Sequence, residues 1–138
     1  MTPNVELDYA LLAEWARVNA TGTLTVIDGS FLRVSAPVGT LVPLAVAGRV
    51  RFLGEPFETT VRVQFELTEG PSISFEVAAT AEEEASYGDG RRHVLFALNT
   101  QLPVLSAGRC KVSIFLNGVL ARDRYFAMEL QGSDEAPQ

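Results

Sequence analysis

The stretch "TVRVQFELTEGPSISFEVAA", Thr60 to Ala79, decides how the chain is read. Its first half sets Val61, Val63, Phe65 and Leu67 on one side and Arg62, Gln64 and Glu66 on the other. That period of two is what a half-buried antiparallel strand requires. The second half repeats it with Ile73, Phe75, Val77 and Ala79. Between the halves, Gly70 and Pro71 suit a tight turn. The stretch predicts a β-hairpin with one apolar face.

The same rule extends outward. "RHVLFALN" offers Val94, Phe96 and Leu98. "KVSIFL" and "YFAMEL" flank Asn117-Gly118, a favoured type I′ pair, although a loop centred on "ARDR" would also join them. "GTLTVIDGSFLRV" offers Leu24, Val26, Phe31 and Val34, interrupted by Asp28-Gly29. "LVPLAVAGRVRFL" is an apolar run broken by Pro43 and Gly48, which predicts an edge strand or one that changes sheets.

"VELDYALLAEWARVN" reads in two ways. Leu7, Leu11, Leu12, Trp15 and Val18 would form a helical stripe. Val5, Leu7, Tyr9, Leu11, Ala13 and Trp15 also alternate without a break against Glu6, Asp8 and Glu14. No glycine caps a helix after Val18, and "NATG" suits a hairpin connection, so a long strand is favoured over a short helix. Together these runs predict an all-β fold, an antiparallel immunoglobulin-like β-sandwich of about seven to nine strands with little or no helix. A small β-barrel is the alternative. Residues 1–130 read as one domain, 81–92 as an exposed polar loop, and 131–138 as an acidic tail.

Composition narrows the function classes. The 138 residues are 47% hydrophobic and carry a formal charge of −6. Lys111 is the only lysine, and the arginines are scattered without a basic stripe. An acidic chain repels phosphate backbones, which argues against nucleic acid as a partner. The opening "MTPNVELDYA" lacks the pattern of a secretory leader, and no run approaches the ~18 apolar residues of a membrane span. A single cysteine makes no internal disulfide and fits a reducing compartment. The expectation is a soluble cytoplasmic protein with no membrane contact.

Two stretches carry a resemblance. "LDYALLAEWARVNATGTLTVIDGSFLRV" resembles the opening of an uncharacterised bacterial β-sandwich family, with Ala10–Ala16, Gly22 and Asp28-Gly29 at the positions of its first strand, turn and glycine corner. "LPVLSAGRCKVSIFLNG" is similar to the last hairpin of many immunoglobulin-like domains, where this chain has "GRC" at Gly108–Cys110 in place of the usual "G-x-Y". The resemblance implies a fold and a bacterial cytoplasmic setting. It carries no activity to transfer.

Catalytic chemistry finds little purchase. A cysteine nucleophile needs a nearby base, and the only histidine is His93. Alternation sets Cys110 with Val112, Ile114 and Leu116 on the apolar face and His93 on the opposite, polar set, so Cys110 reads as core. One His and one Cys do not make a zinc site. Glu82, Glu83, Glu84 and Asp89 lack the spacing of a calcium loop and read as a solvated loop. Ser30 in "DGSF" is no nucleophile elbow, and "GDGRR" is followed by no helical pattern. No cofactor is implied.

Surface features remain. Tyr9 and Trp15, with Arg122, Arg124 and Tyr125 of "RDRYF", form the candidate interaction surface, since arginine beside aromatics is common at interfaces. Asp89, Arg91, Arg92 and His93 form a candidate pocket loop. The expected function is a non-catalytic binding module that self-associates, as a homodimer, or binds another protein. The alternatives are a small-ligand binder or enzyme with a pocket near residues 82–93, and a subunit of a larger, phage-derived or other assembly.

Overall fold

A computed structural model describes residues 4–30, 33–81 and 91–131. Phe31, Asp89, most of the 81–92 loop and residues 132–138 of the acidic tail lie outside the described residues. Among those described there are ten strands and no helix. They are β1 (Val5–Ala13), β2 (Trp15–Val18), β3 (Leu24–Ile27), β4 (Arg33–Ala36), β5 (Leu41–Phe52), β6 (Glu58–Glu66), β7 (Ile73–Thr80), β8 (Arg92–Pro103), β9 (Gly108–Leu116) and β10 (Val119–Leu130). No helix among these residues is long and apolar enough to cross a membrane.

The strands form a three-stranded sheet in the order β1-β5-β8, a five-stranded sheet in the order β4-β10-β9-β6-β7 and a two-stranded sheet of β2 and β3. The hairpin that "TVRVQFELTEGPSISFEVAA" predicts is β6–β7, paired from Glu58↔Thr80 to Phe65↔Ile73. Val61, Val63 and Phe65 of β6, with Val112 and Ile114 of β9, are completely buried. They meet Leu44, Val46, Val50 and Phe52 of β5 across a single core. The Asn117-Gly118 reading also holds: both residues have positive φ, 50° and 83°, and they join β9 directly to β10. A bulge at Ala121, between Leu120 and Arg122, absorbs the mismatch that left the "ARDR" loop open.

Three expectations need correcting. The sheets are not purely antiparallel, because β4 runs parallel to β10 from Arg33↔Ala127 to Ala36↔Leu130. The segment from Val5 to Val18 is not one unbroken strand. Its register against β5 slips between Leu7 and Tyr9, so the buried set is Val5 and Leu7, then Ala10 and Leu12, with Tyr9 turned outward. The chain then turns at Glu14 into β2. Finally, "LVPLAVAGRVRFL" is the central strand of its sheet. Pro43 is tolerated there because β1 ends at Ala13↔Ala45, leaving the first residues of β5 paired with β8 alone.

The bulge in β1 explains Gly48. A Cβ on Gly48 would lie 2.1 Å from the Tyr9 carbonyl oxygen and 2.9 Å from Ala10 Cα, so only glycine lets the two strands close at this point. Farther along the same sheet, the β2–β3 hairpin folds over the outer face. Ala13, Ala16, Ala45 and Ala47 form a second buried cluster beneath it, with Leu11, Leu24, Val26 and Ala97 around them. Small side chains let the layers approach closely. Half of β5 is thus covered on both faces, which is why its sequence reads as a continuous apolar run.

Candidate functional site

The outer face of the five-stranded sheet is built by the polar positions of the same alternation. β9 contributes Arg109, Lys111, Ser113 and Phe115; β10 contributes Asp123 and Tyr125; β6 contributes Arg62, Gln64 and Glu66. Register brings distant residues together: Arg62 lies opposite Phe115, and Tyr125 opposite Lys111. The Arg62 guanidinium sits 4.1 Å from the centroid of the Phe115 ring, and that of Arg109 sits 4.6 Å from Tyr125. Arg62 also donates to Gln64 Oε1 at 3.1 Å. Neither Arg62 nor Arg109 is ion-paired with a carboxylate among the described residues. By contrast, Lys111 lies 3.9 Å from Asp123, whose other oxygen accepts from Ser113 Oγ at 2.8 Å. Arg33 of β4 pairs with Glu129 at 3.5 Å.

The outer face of the three-stranded sheet is chemically different. Arg49 donates through Nε to Asp8 Oδ2 at 2.7 Å while its ring neighbour Tyr9 lies 5.4 Å from the guanidinium. Arg51 donates to Glu6 Oε1 through both Nε and Nη2, and Arg91 approaches the same oxygen at 3.9 Å. The bond from Arg49 holds the Asp8 carboxyl below its ordinary value, with the charges of Arg49, Arg51 and His93 assisting against partial burial. His93 stands opposite Arg51 in the register. With Arg49, Leu95, Thr80, Asn19 and Gly22 it lines a groove of about 310 Å³ beside the tip of the β2–β3 hairpin.

The residues singled out from sequence do not converge on one surface. Tyr9 lies under Arg49 on β1, an edge strand. Trp15, 37% exposed, begins β2 with Arg17 5.7 Å from its ring. Tyr125 is on the outer face of the opposite sheet. Arg124 points to the flank of the sandwich and donates to the Ala10 carbonyl at 3.4 Å. Arg122 is two residues from it on the same side of β10.

The proposed pocket loop divides as well. Arg91 and His93 are on the Glu6 side of β8. Arg92 faces the other way, its guanidinium 3.7 Å from the Phe57 ring. Cys110 is buried in the core of the other sheet, and burial pushes its thiol up, away from the thiolate. No three of His, Cys, Asp and Glu gather as a metal-holding group among the described residues. Sequence reading missed Arg62 and Arg109. The alternation marks both as outward, but only cross-strand register reveals the rings beneath them.

No protein-family model matches the chain, and no curated protein does either. Among solved structures the fold is similar to Pseudomonas fluorescens alkylpurine DNA glycosylase AlkC, bound to DNA containing an abasic site analog. The TM-score is 0.50 and the identity 10%; the match covers 91% of this chain and 30% of that one. The chain thus spans less than a third of that protein, and at this identity the likeness is one of fold. It overturns one expectation about partners. Net acidity and scattered arginines argue against nucleic acid and for a protein or a second copy, yet a solved chain of similar fold is DNA-bound. Total charge is a poor arbiter because it averages over faces. Among the described residues Arg62 and Arg109 make no ion pair, although Glu76 stands opposite Arg62 in the β6–β7 register and the whole chain is at −6.

Proposed function

We propose that this chain is a non-catalytic binding module, working as one domain of a larger assembly, and that it contacts nucleic acid through the outer face of the five-stranded sheet. One observation carries the reading: Arg62 and Arg109 are stacked on aromatic rings without a carboxylate partner among the described residues. A guanidinium held flat on a ring keeps its outer N–H groups for a phosphate or a base edge. Arg109 and Phe115 are six positions apart on β9, so the two anchors are about 20 Å apart along the sheet. That spacing suits an extended single strand, which binds by backbone charge and by stacking. The DNA-bound glycosylase of similar fold supports the same partner class, and the share of that chain covered supports a domain within something larger. A cytoplasmic setting and immunoglobulin-like kinship belong to the same proposal.

Fluorescence anisotropy with a labelled single-stranded oligonucleotide tests it, with a duplex in parallel. The expected result is weak, saturable binding that falls roughly tenfold or more between low and physiological salt. Arg62→Ala and Arg109→Ala should each weaken it and flatten the salt dependence. No binding at about 100 µM protein, or binding indifferent to both substitutions, would overturn the proposal.

A further inference from the structure

The face that carries Arg62 and Arg109 holds one more polar group whose direction is fixed. Gln64 lies one step along β6 from Arg62, opposite Ser113 of β9. Its Oε1 accepts from Arg62 Nη1 at 3.1 Å. A guanidinium has donors and no acceptor, so the amide must turn its oxygen toward Arg62 and its NH2 group away. Gln64 Nε2 has no hydrogen-bond partner among the described residues. The half-buried side chain thus presents N–H donors beside a guanidinium that presents more of them.

The acceptors around it are engaged or set to one side. Asp123 accepts from Ser113 Oγ at 2.8 Å and faces Lys111 at 3.9 Å, and Ser113 itself is buried. Glu66, opposite Lys111, and Glu76, opposite Arg62, are exposed on the β6–β7 side of the face. Two carboxylates there repel a phosphate chain. Arg62 leans instead onto Phe115 of β9, and Arg109 onto Tyr125 of β10. Phosphates that follow the two guanidiniums run over β9 and β10, and the bases then project toward β6, where Gln64 offers its donors.

We propose, on the basis of the nucleic-acid reading above, that Gln64 selects the base at this point of the strand. A base with a carbonyl oxygen accepts from its NH2 group. Adenine has no carbonyl, and its N1 and N7 sit beside its own amino group, which meets the Arg62 and Gln64 donors head on.

The test compares anisotropy with labelled octamers of thymidine and of deoxyadenosine. The unaltered chain should bind the thymidine octamer roughly tenfold more tightly. Gln64→Met removes the donors and should bring thymidine binding down to that of deoxyadenosine. Gln64→Glu keeps an acceptor for Arg62 without a donor, and should lose the preference as well. Adenine self-stacking also disfavours the second octamer, but that contribution belongs to the DNA and would survive both substitutions. Equal binding of the two octamers, or a preference that outlasts either substitution, would overturn the role of Gln64. Arg62→Ala and Arg109→Ala would still weaken binding in that case, which leaves the nucleic-acid reading standing. Failure to bind either octamer would remove both.

Discussion

On the three-stranded sheet the outward arginines of β5 are tied to carboxylates, whereas on the five-stranded sheet Arg62 and Arg109 are not. Arg49 and Arg51 are tied to Asp8 and Glu6, and beyond them the β2–β3 hairpin covers the rest of that face. Arg62 and Arg109 have the same chemistry but rest on rings and face solvent. The difference shows that an arginine's position on a strand says little about its role. What decides is which group the guanidinium settles on, a carboxylate as for Arg49 and Arg51 or a ring as for Arg62 and Arg109. A carboxylate closes the group into structure; a ring orients it and leaves its donors free.

This contrast can be broken most severely at Gly48. Gly48→Ala drives a methyl group into the Tyr9 carbonyl, so β1 must separate from β5. The expected loss is about 3 kcal/mol or more, read from chemical denaturation, and failure to fold is within that range. Full stability in the variant would mean that β1 and β5 do not meet as described.

A more local blow removes the hairpin cover. Asn99 on β8 accepts from Ala16 N at 3.1 Å and donates to Ala16 O at 2.8 Å, and Ala16 is completely buried. Asn99→Ala leaves both main-chain groups without that partner, at an expected cost of about 2 kcal/mol. Hydrogen exchange should accelerate in β2 and β3 and stay slow in β6 and β9. Uniform acceleration would show that the cover is not a separable unit.

The smallest effect is electrostatic. Asp8 has a lowered pKa in the folded state, so the folded chain binds fewer protons there than the unfolded one. Its contribution is full above the ordinary value of 3.8 and is lost as pH falls through the lowered folded value. Asp8→Asn should therefore cost stability near neutrality and flatten the acid limb of the stability curve. Identical acid limbs for the two proteins would dissolve the Arg49–Asp8 part of the contrast.

The alternating strands were the most legible part of the molecule. β6, β7 and β9 each bury one face, so their side chains record the fold at a period of two, and Asn117-Gly118 announces its turn. β1 and β5 were misleading for physical reasons. A bulge inverts the phase of β1 at Asp8, and the alanines that bury β5 on its second face resemble core, not surface. β4 was invisible as a partner of β10, since nothing in four residues names a strand so far along the chain. The site was legible only as a set of outward arginines. Phe115 beneath Arg62 and Tyr125 beneath Arg109 depend on register.

The parallel pairing of β4 with β10 has a kinetic consequence. Arg33 waits for Ala127, about ninety residues later, before that edge can close, while β6–β7 and β9–β10 join across short turns. Loop closure over such a span carries an entropic cost before any contact repays it, so the two hairpins assemble early and the β4 edge seals last. Until it does, the outer half of β10 is an unpaired edge open to a neighbouring chain. Yield on refolding should accordingly fall with protein concentration, with association setting in before that last rung forms.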